Sequence, residues 1–262
     1  MLSWACQFPF ALLLASLVAL SRPTAALCSH TIYILRHGQS DANAHGLIQG
    51  SSDFSRLTDV GKEQAAMVSR QALDGLPVDA VYVSPLSRAQ DTLKEVQKRT
   101  QTIPKTTTTL HNLREIDFYD WQERHKDDLA VEFEDAWKAW KNSDPYKLIV
   151  PNGSQEHYPL LEMWERAGKV WQEIQQLEKE RNDATDKHTT VLIVAHGSLG
   201  QALLGTAMGW DATHFRRHVF PNCGVLEIQW DQFLDAAPAE RWRWKWPRNS
   251  EWSQGDTART EL

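Results

Sequence analysis

Two apolar segments far apart in this chain each run straight into a His-Gly pair: Thr31-Ile-Tyr-Ile-Leu-Arg-His37-Gly38 and Thr189-Thr-Val-Leu-Ile-Val-Ala-His196-Gly197. The β-branched and aromatic residues Thr31, Ile32, Tyr33 and Ile34 favour extended backbone. The second run is continuously apolar rather than alternating, as expected of a parallel strand buried on both faces. A sheet holding such strands must be covered by helices above and below, and open sheets of this kind collect ligands at the carboxyl ends of their strands. His37 and His196 are therefore expected to share one crevice. Gly38 lets the chain turn without a Cβ where a bulky anion approaches. Arg36 offers a permanent charge and a planar fork of donors suited to phosphate, beside which a neutral imidazole can attack phosphorus.

The rest of the chain repeats a unit of strand, polar turn and helix. A polar loop with Gly46, Gln49 and Gly50 leads to a helix starting near Thr58, its cap, with Ala65, Val68 and Ala72 on one face. Ala80-Val-Tyr-Val-Ser84 reads as the second strand, and Pro85 with Ser87-Arg88-Ala89 opens a helix to about Lys98. Thr106 to Leu110 reads as a short strand. From His111 to about Tyr158 the pattern turns irregular, an insertion with one helix striped by Phe133, Trp137 and Trp140. Leu160, Trp164, Ala167, Trp171 and Ile174 mark a long amphipathic helix towards Arg181. A helix from Ser198 to about Met208 follows the second His-Gly, and Cys223 to Gln229 is the last core strand. Strands alternating with helices predict an α/β three-layer sandwich: a mostly parallel central sheet, helices on both faces and an inserted helical cap at about 111–158 of a domain spanning 30–234.

A length of 262 residues suits one α/β core, and the net charge of −6 argues against a nucleic-acid surface. Three cysteines, Cys6, Cys28 and Cys223, make no disulfide framework, and neither a paired-cysteine zinc pattern nor His-Glu-x-x-His is present, so no metal and no cofactor are expected. Phe8 to Leu20 is nearly all apolar, and small residues at Thr24 and Ala26 position a cleavage after Ala26. Residues 1–26 read as a cleavable leader to the plastid or the secretory pathway, too short for a membrane span, so none is expected after its removal. Arg241-Trp-Arg-Trp-Lys-Trp246 alternates cationic and aromatic residues, as an edge strand with one packed face does, or as an anionic-surface site would. The extension 235–262 reads as disordered beyond Asn249.

The second strand ends in a polar turn that delivers Arg88 to the edge where His37 and His196 sit. Two arginines, two histidines and Asn43 then supply converging donors for a dianionic phosphoryl group. A proton source for the leaving oxygen is still needed. Glu115, in Leu113-Arg-Glu-Ile-Asp117, lies just past the third strand near that edge, with Asp117 as the rival acid. The insertion offers Arg114, Arg124, Lys126 and His157 as partners for a second acidic group of the substrate, with Tyr119 and Trp121 as apolar walls.

Arg36-His-Gly-Gln-Ser-Asp-Ala-Asn43, Ser84-Pro-Leu-Ser-Arg-Ala89 and Val194-Ala-His-Gly197 resemble, in order across most of the chain, the histidine phosphatase or phosphoglycerate mutase-like superfamily. The resemblance implies that His37 is phosphorylated, that Arg36, Arg88 and His196 bind the phosphoryl group with Asn43 and Gly197 assisting, and that Glu115 donates the proton. Gly46 through Ser55, Leu113 through Tyr119, His157-Tyr-Pro159, Glu162 through Ala167, and Ser198 through Leu203 followed by Asn222-Cys-Gly-Val225 further resemble the plant and algal 2-carboxy-D-arabinitol-1-phosphatase branch. That likeness implies a small acidic sugar phosphate as substrate and Gln49, Gly50 and His157 as substrate contacts. The Gly-Ser-Leu-Gly after His196 follows the wider superfamily, where the plant branch has Asn-Ala-Val-Asn. A mutase is the competing enzyme, but mutases follow the acid with an Arg-His-Tyr-Gly type stretch and Glu115 is followed by Ile-Asp-Phe-Tyr. A silent phospho-ligand binding module would be expected to have lost His37, Glu115 or His196.

Overall fold

The computed structural model describes residues 29–181, 188–216, 220–231 and 242–246; the leader and the tail beyond Asn249 lie outside them. In chain order the strands are β1 (Ser29–Arg36), β2 (Ala80–Val83), β3 (Thr108–Thr109), β4 (Val150–Asn152), β5 (Gln155–His157), β6 (Thr189–Ala195), β7 (Val225–Asp231) and β8 (Trp242–Trp246). The α-helices are α1 (Asp41–His45), α2 (Asp59–Val68), α3 (Ser87–Gln97), α4 (Lys126–Glu132), α5 (Glu134–Lys141), α6 (Pro159–Arg181) and α7 (Gly197–Ala207). The main sheet runs β3-β2-β6-β1-β7-β8. Its first four strands are parallel, and β7 and β8 add antiparallel to β1 and to each other.

Alternation along the central strands builds the layers. Ile32 and Ile34 of β1, with Val191, Ile193 and Ala195 of β6, face α6, α7 and the inserted segment. Tyr33, Leu35, Leu192 and Val194 face α2 and α3 on the other side. All seven residues of β6 are buried. Each fully buried aliphatic side chain contributes about 1.5–3 kcal/mol relative to exposure, so burial rather than strand propensity fixes the order of the sheet. The three-layer α/β architecture is as expected from the sequence.

The local differences have local causes. Residues 41–45, within the stretch read as polar loop, form α1 because Ser40 and Asn43 make a reciprocal capping box. The insertion holds two short helices, α4 and α5, instead of one, with the break at Phe133 (φ −122°, ψ 48°), and a β4-β5 hairpin follows them. Trp242–Trp246 is an edge strand. Its Arg243 reaches the buried Glu227 carboxylate at 2.8 Å, with Lys245 at 4.0 Å, so both cations neutralise a charge inside the sheet edge.

The turn after β1 packs directly on α2. A Cβ at Gly38 would stand 2.5 Å from the Gly61 carbonyl oxygen, and one at Gly61 would stand 2.2 Å from the Gln39 carbonyl oxygen. Gly61→Ala improves helix propensity by about 1 kcal/mol, yet this backbone contact predicts the opposite sign: a net loss of about 1–3 kcal/mol, as for other overpacked sites. Chemical denaturation of the variant measures it, and an increase in stability would show that the turn can move aside.

Candidate active site

Register brings the two strand-end histidines together. Arg36 of β1 pairs with Ala195 of the parallel β6, and the His37 N–H continues the ladder to the Ala195 carbonyl at 3.0 Å. The imidazole centroids lie 5.2 Å apart, inclined at 61°. His37 Nδ1 lies 2.7 Å from the Gly38 carbonyl, which can only accept, so Nδ1 carries the proton and Nε2 keeps its lone pair. His196 Nε2 meets the Ser84 hydroxyl at the end of β2 at 2.7 Å, while its Nδ1 is buried without a partner among the described residues. Burial, then the charges of Arg88 and Arg36, push the His37 pKa well below its ordinary value, against the Gly38 hydrogen bond. His196 is pushed the same way, by burial first and then by Arg88 and its other cationic neighbours.

Both arginines are held by backbone carbonyls. Arg36 donates a terminal N–H to the Phe220 carbonyl. Gly197 leaves room for it, since a Cβ there would sit 3.2 Å from Arg36 Cζ. Arg88, on the first turn of α3, donates to the Ser52 and Gly50 carbonyls at 2.9 and 2.8 Å. Burial lowers the Arg88 pKa to about 10, which still leaves it charged at neutral pH. The Nε–H of each arginine is buried with no acceptor among the described residues, a situation costing about 1–3 kcal/mol per donor until an acceptor arrives. The crevice that could supply one is lined on its polar side by Arg36, His37, Arg88, Gln49, Gly50 and Glu115.

Glu115 is delivered by the opposite layer. Its carboxylate accepts from its neighbour Ile116 N–H at 2.9 Å and from the Ser198 and Leu199 N–H groups at 3.0 and 2.8 Å. The last two are free donors of the first turn of α7, where a carboxylate also suits the helix dipole. The acid candidate is thus tied to the helix that His196 opens. Asp117, its rival, is not in the crevice lining: it accepts from the Ser51 hydroxyl and faces Arg114 and Arg166 at 3.9 and 3.8 Å.

The remaining expected residues divide. Gln49 lines the crevice and accepts from the Ser40 hydroxyl at 2.8 Å; Gly50 lines it with left-handed backbone, φ +54°. Asn43 lies outside the lining. Its side-chain oxygen accepts from Ser40 and from Asn222, and Asn222 also donates to the His37 carbonyl at 3.1 Å. His157 is likewise outside, stacked on Tyr119 at 3.8 Å between centroids with Nδ1 at 3.2 Å from Glu162. The apolar walls are not Tyr119 and Trp121 but Ile48, Ile116, Phe118 and Trp140. Trp121 is fully buried behind Phe118, their rings 6.1 Å apart and nearly parallel, and Tyr119 is taken by His157. Ser84, Asn222, Phe118 and Trp140 escaped the sequence reading as site residues. Ser84, at the end of a strand, and Asn222 carried a signal, since each opens a stretch that resembles the family. Among the described residues no group of three or more His, Cys, Asp or Glu is placed to hold a metal ion, and no helix is long and apolar enough to cross a membrane.

A mostly parallel sheet that gathers two histidines and two arginines at the carboxyl ends of its strands is a phosphoglycerate mutase-like fold. The chain belongs to the histidine phosphatase superfamily (branch 1), whose description matches residues 32–255. An Arabidopsis thaliana protein named probable 2-carboxy-D-arabinitol-1-phosphatase is 38% identical over 74% of this chain, which spans only 36% of that relative's length. A Citrobacter koseri protein named probable phosphoglycerate mutase is 28% identical over 79% of this chain and 88% of its own. The alpha-ribazole phosphatase structure from Shigella flexneri superposes with a TM-score of 0.62 at 26% identity, covering 77% of this chain and 91% of that one.

The depressed histidine pKa values have a consequence for stability. Below about pH 6.5 the unfolded chain protonates both rings while the folded protein resists it. The stability contributed by the neutral rings is complete above that pH and is lost as pH falls towards the lower folded values. Thermal melts between about pH 7 and 5 should show stability falling with pH, with a shallower slope for His37→Gln and for His196→Gln. Identical slopes would show that the rings do not resist protonation.

Proposed function

We propose that the protein is a phosphoric monoester hydrolase that works through a phosphohistidine on His37. The observation that carries this is the imidazole whose Nδ1–H is spent on Gly38, so that a bare Nε2 faces a crevice containing two unpaired guanidinium N–H groups. In the first step Nε2 forms the bond to phosphorus as the ester oxygen leaves and takes a proton from Glu115. Arg36, Arg88 and His196 stabilise the charge spread over the equatorial oxygens. In the second step water attacks phosphorus, Glu115 takes its proton, and Nε2 departs with its lone pair restored.

The reading of the substrate as a small acidic sugar phosphate is supported by the name of the Arabidopsis relative and by two cations near the crevice, Lys126 and Arg216. The side chain of Lys126, the first residue of α4, lies outside the crevice lining and makes no hydrogen bond or ion pair among the described residues. Burial and then the charges of Lys141, Arg36 and Arg216 lower its pKa to about 8. Arg216 lies 3.9 Å over the ring of Trp140, which forms a crevice wall. These cations suit a carboxylate or second phosphate beyond the phosphoryl group.

The deciding experiment compares kcat/KM for 2-carboxyarabinitol 1-phosphate, a pentulose bisphosphate, 3-phosphoglycerate and a phosphotyrosine peptide, with mutase products assayed alongside. The acidic sugar phosphates should lead and release orthophosphate. A preference for the peptide would overturn the substrate class, and isomerised phosphoglycerate as the main product would favour the mutase. With Lys126 near its pKa, kcat/KM for the acidic substrates should fall as pH rises through about 8. Lys126→Met should cost about tenfold on those substrates, a loss of about 1.4 kcal/mol, and leave an aryl phosphate within about twofold. Equal losses on both would remove Lys126 from substrate recognition.

A further inference from the structure

The segment that carries Glu115 has no strand ladder of its own, and its placement is taken over by one side chain of α6. Arg166 stands beside the buried stripe of Leu160, Met163, Ala167, Val170 and Ile174, with only 12% of its side chain exposed. One terminal nitrogen donates to the carbonyls of Asn112, at 3.3 Å, and Arg114; the other donates to the Glu115 carbonyl at 2.8 Å. Neither the Arg114 nor the Glu115 carbonyl receives a backbone N–H among the described residues. Two turns along the same helix, Glu173 accepts from Asn112 at 3.1 Å. Arg166 also faces Asp117 at 3.8 Å, and Asp117 accepts from the Ser51 hydroxyl. Ser51 sits between Gly50 and Ser52, the two residues whose carbonyls hold Arg88.

We propose that Arg166 and Asp117 are positioning residues: a half-buried brace that sets the Glu115 carboxyl against the leaving oxygen while keying it to the loop that holds Arg88. The proposal rests on Glu115 being the proton donor in the hydrolytic reading above. Glu115 is fastened at both ends, its carbonyl to α6 through Arg166 and its carboxylate to the first turn of α7, so releasing the first end lets the carboxyl swing about the second. A misplacement of about 1 Å is enough to cost about a hundredfold when a proton must be transferred in the transition state. Asp117, the rival acid by sequence, supports the acid instead of replacing it.

The test uses the full chain and the leaving group as its readout. Arg166→Lys should lower kcat about tenfold to a hundredfold on an alkyl phosphate, whose leaving oxygen needs a proton. On p-nitrophenyl phosphate, which needs almost none, the loss should stay within about threefold, and inhibition by inorganic phosphate should be unchanged within about twofold. Asp117→Asn, which keeps the size of the side chain and removes its charge, should show the same selectivity more weakly. Either substitution should add little in a Glu115→Gln background, because the group being positioned is gone. A loss shared equally by both substrates, or weaker inhibition by phosphate, would mean the brace shapes the phosphoryl pocket and would overturn the proposal. Leaving-group selectivity in Glu115→Gln but in neither brace variant would also overturn it. Its absence from Glu115→Gln itself would instead remove the acid assignment on which the proposal stands.

Discussion

Two guanidinium groups buried side by side at one sheet edge set the terms for the rest of the structure. Neither Arg36 nor Arg88 forms an ion pair with a carboxylate among the described residues; each is held by backbone carbonyls and keeps one N–H unspent. A buried charge without a counter-ion is costly, and it persists only where the surrounding fold leaves it no alternative. The long parallel pairing of β1 with β6, covered on both faces, provides that rigidity. Burial first, and then the same two charges, keep the imidazoles beside them neutral. One physical condition, excess positive charge out of reach of water, thus prepares both the anion site and the nucleophile that would act on it.

The sheet and the strand-end residues were legible because they follow from short-range pattern. Continuous apolar runs mark the central strands, Thr58 caps α2, and the His-Gly pairs fall where parallel strands stop. The walls of the crevice were not legible. Phe118, Tyr119 and Trp121 are neighbours of similar character, and which of them faces the crevice depends on a left-handed residue at Tyr119 (φ +47°) that no propensity announces. The division of the insertion into α4 and α5 has the same origin, since a break at Phe133 interrupts a stripe that reads as a single helix. Asn222 and Arg166 fall in family-like stretches, but they lie 185 and 51 residues from the groups they hold, His37 and Glu115, and act through backbone carbonyls, so their partners could not be read from a pattern of side chains.

Asn43 and His157 show how a shared motif can mislead about proximity. Both lie in stretches that resemble family signatures, yet Asn43 spends its oxygen on capping α1 and on Asn222, and His157 is stacked on Tyr119. Their contribution in this structure is to hold the turn after β1 and the entry to α6. The residues facing the crevice come from six separate parts of the chain, and the chemically active ones, Arg36, His37, Arg88 and Glu115, are each held by hydrogen bonds that end on backbone. Positioning by carbonyls and N–H groups makes the floor of the site insensitive to which side chains decorate the insertion. A common floor beneath a variable rim is one way a single superfamily can hold relatives named as mutases and as phosphatases.

In the hydrolytic reading, His37 Nε2, left bare by the Nδ1–H bond to Gly38, is the atom that takes the phosphoryl group. Rapid quench of the enzyme with excess p-nitrophenyl phosphate into alkali, followed by peptide mapping, tests it most directly. The account predicts a burst of nitrophenolate matched by a single base-stable, acid-labile phosphoryl adduct on Nε2 of His37, formed at an undiminished rate after exhaustive chelation. An adduct on any other residue, or a turnover that needs an added divalent ion to form one, would contradict it.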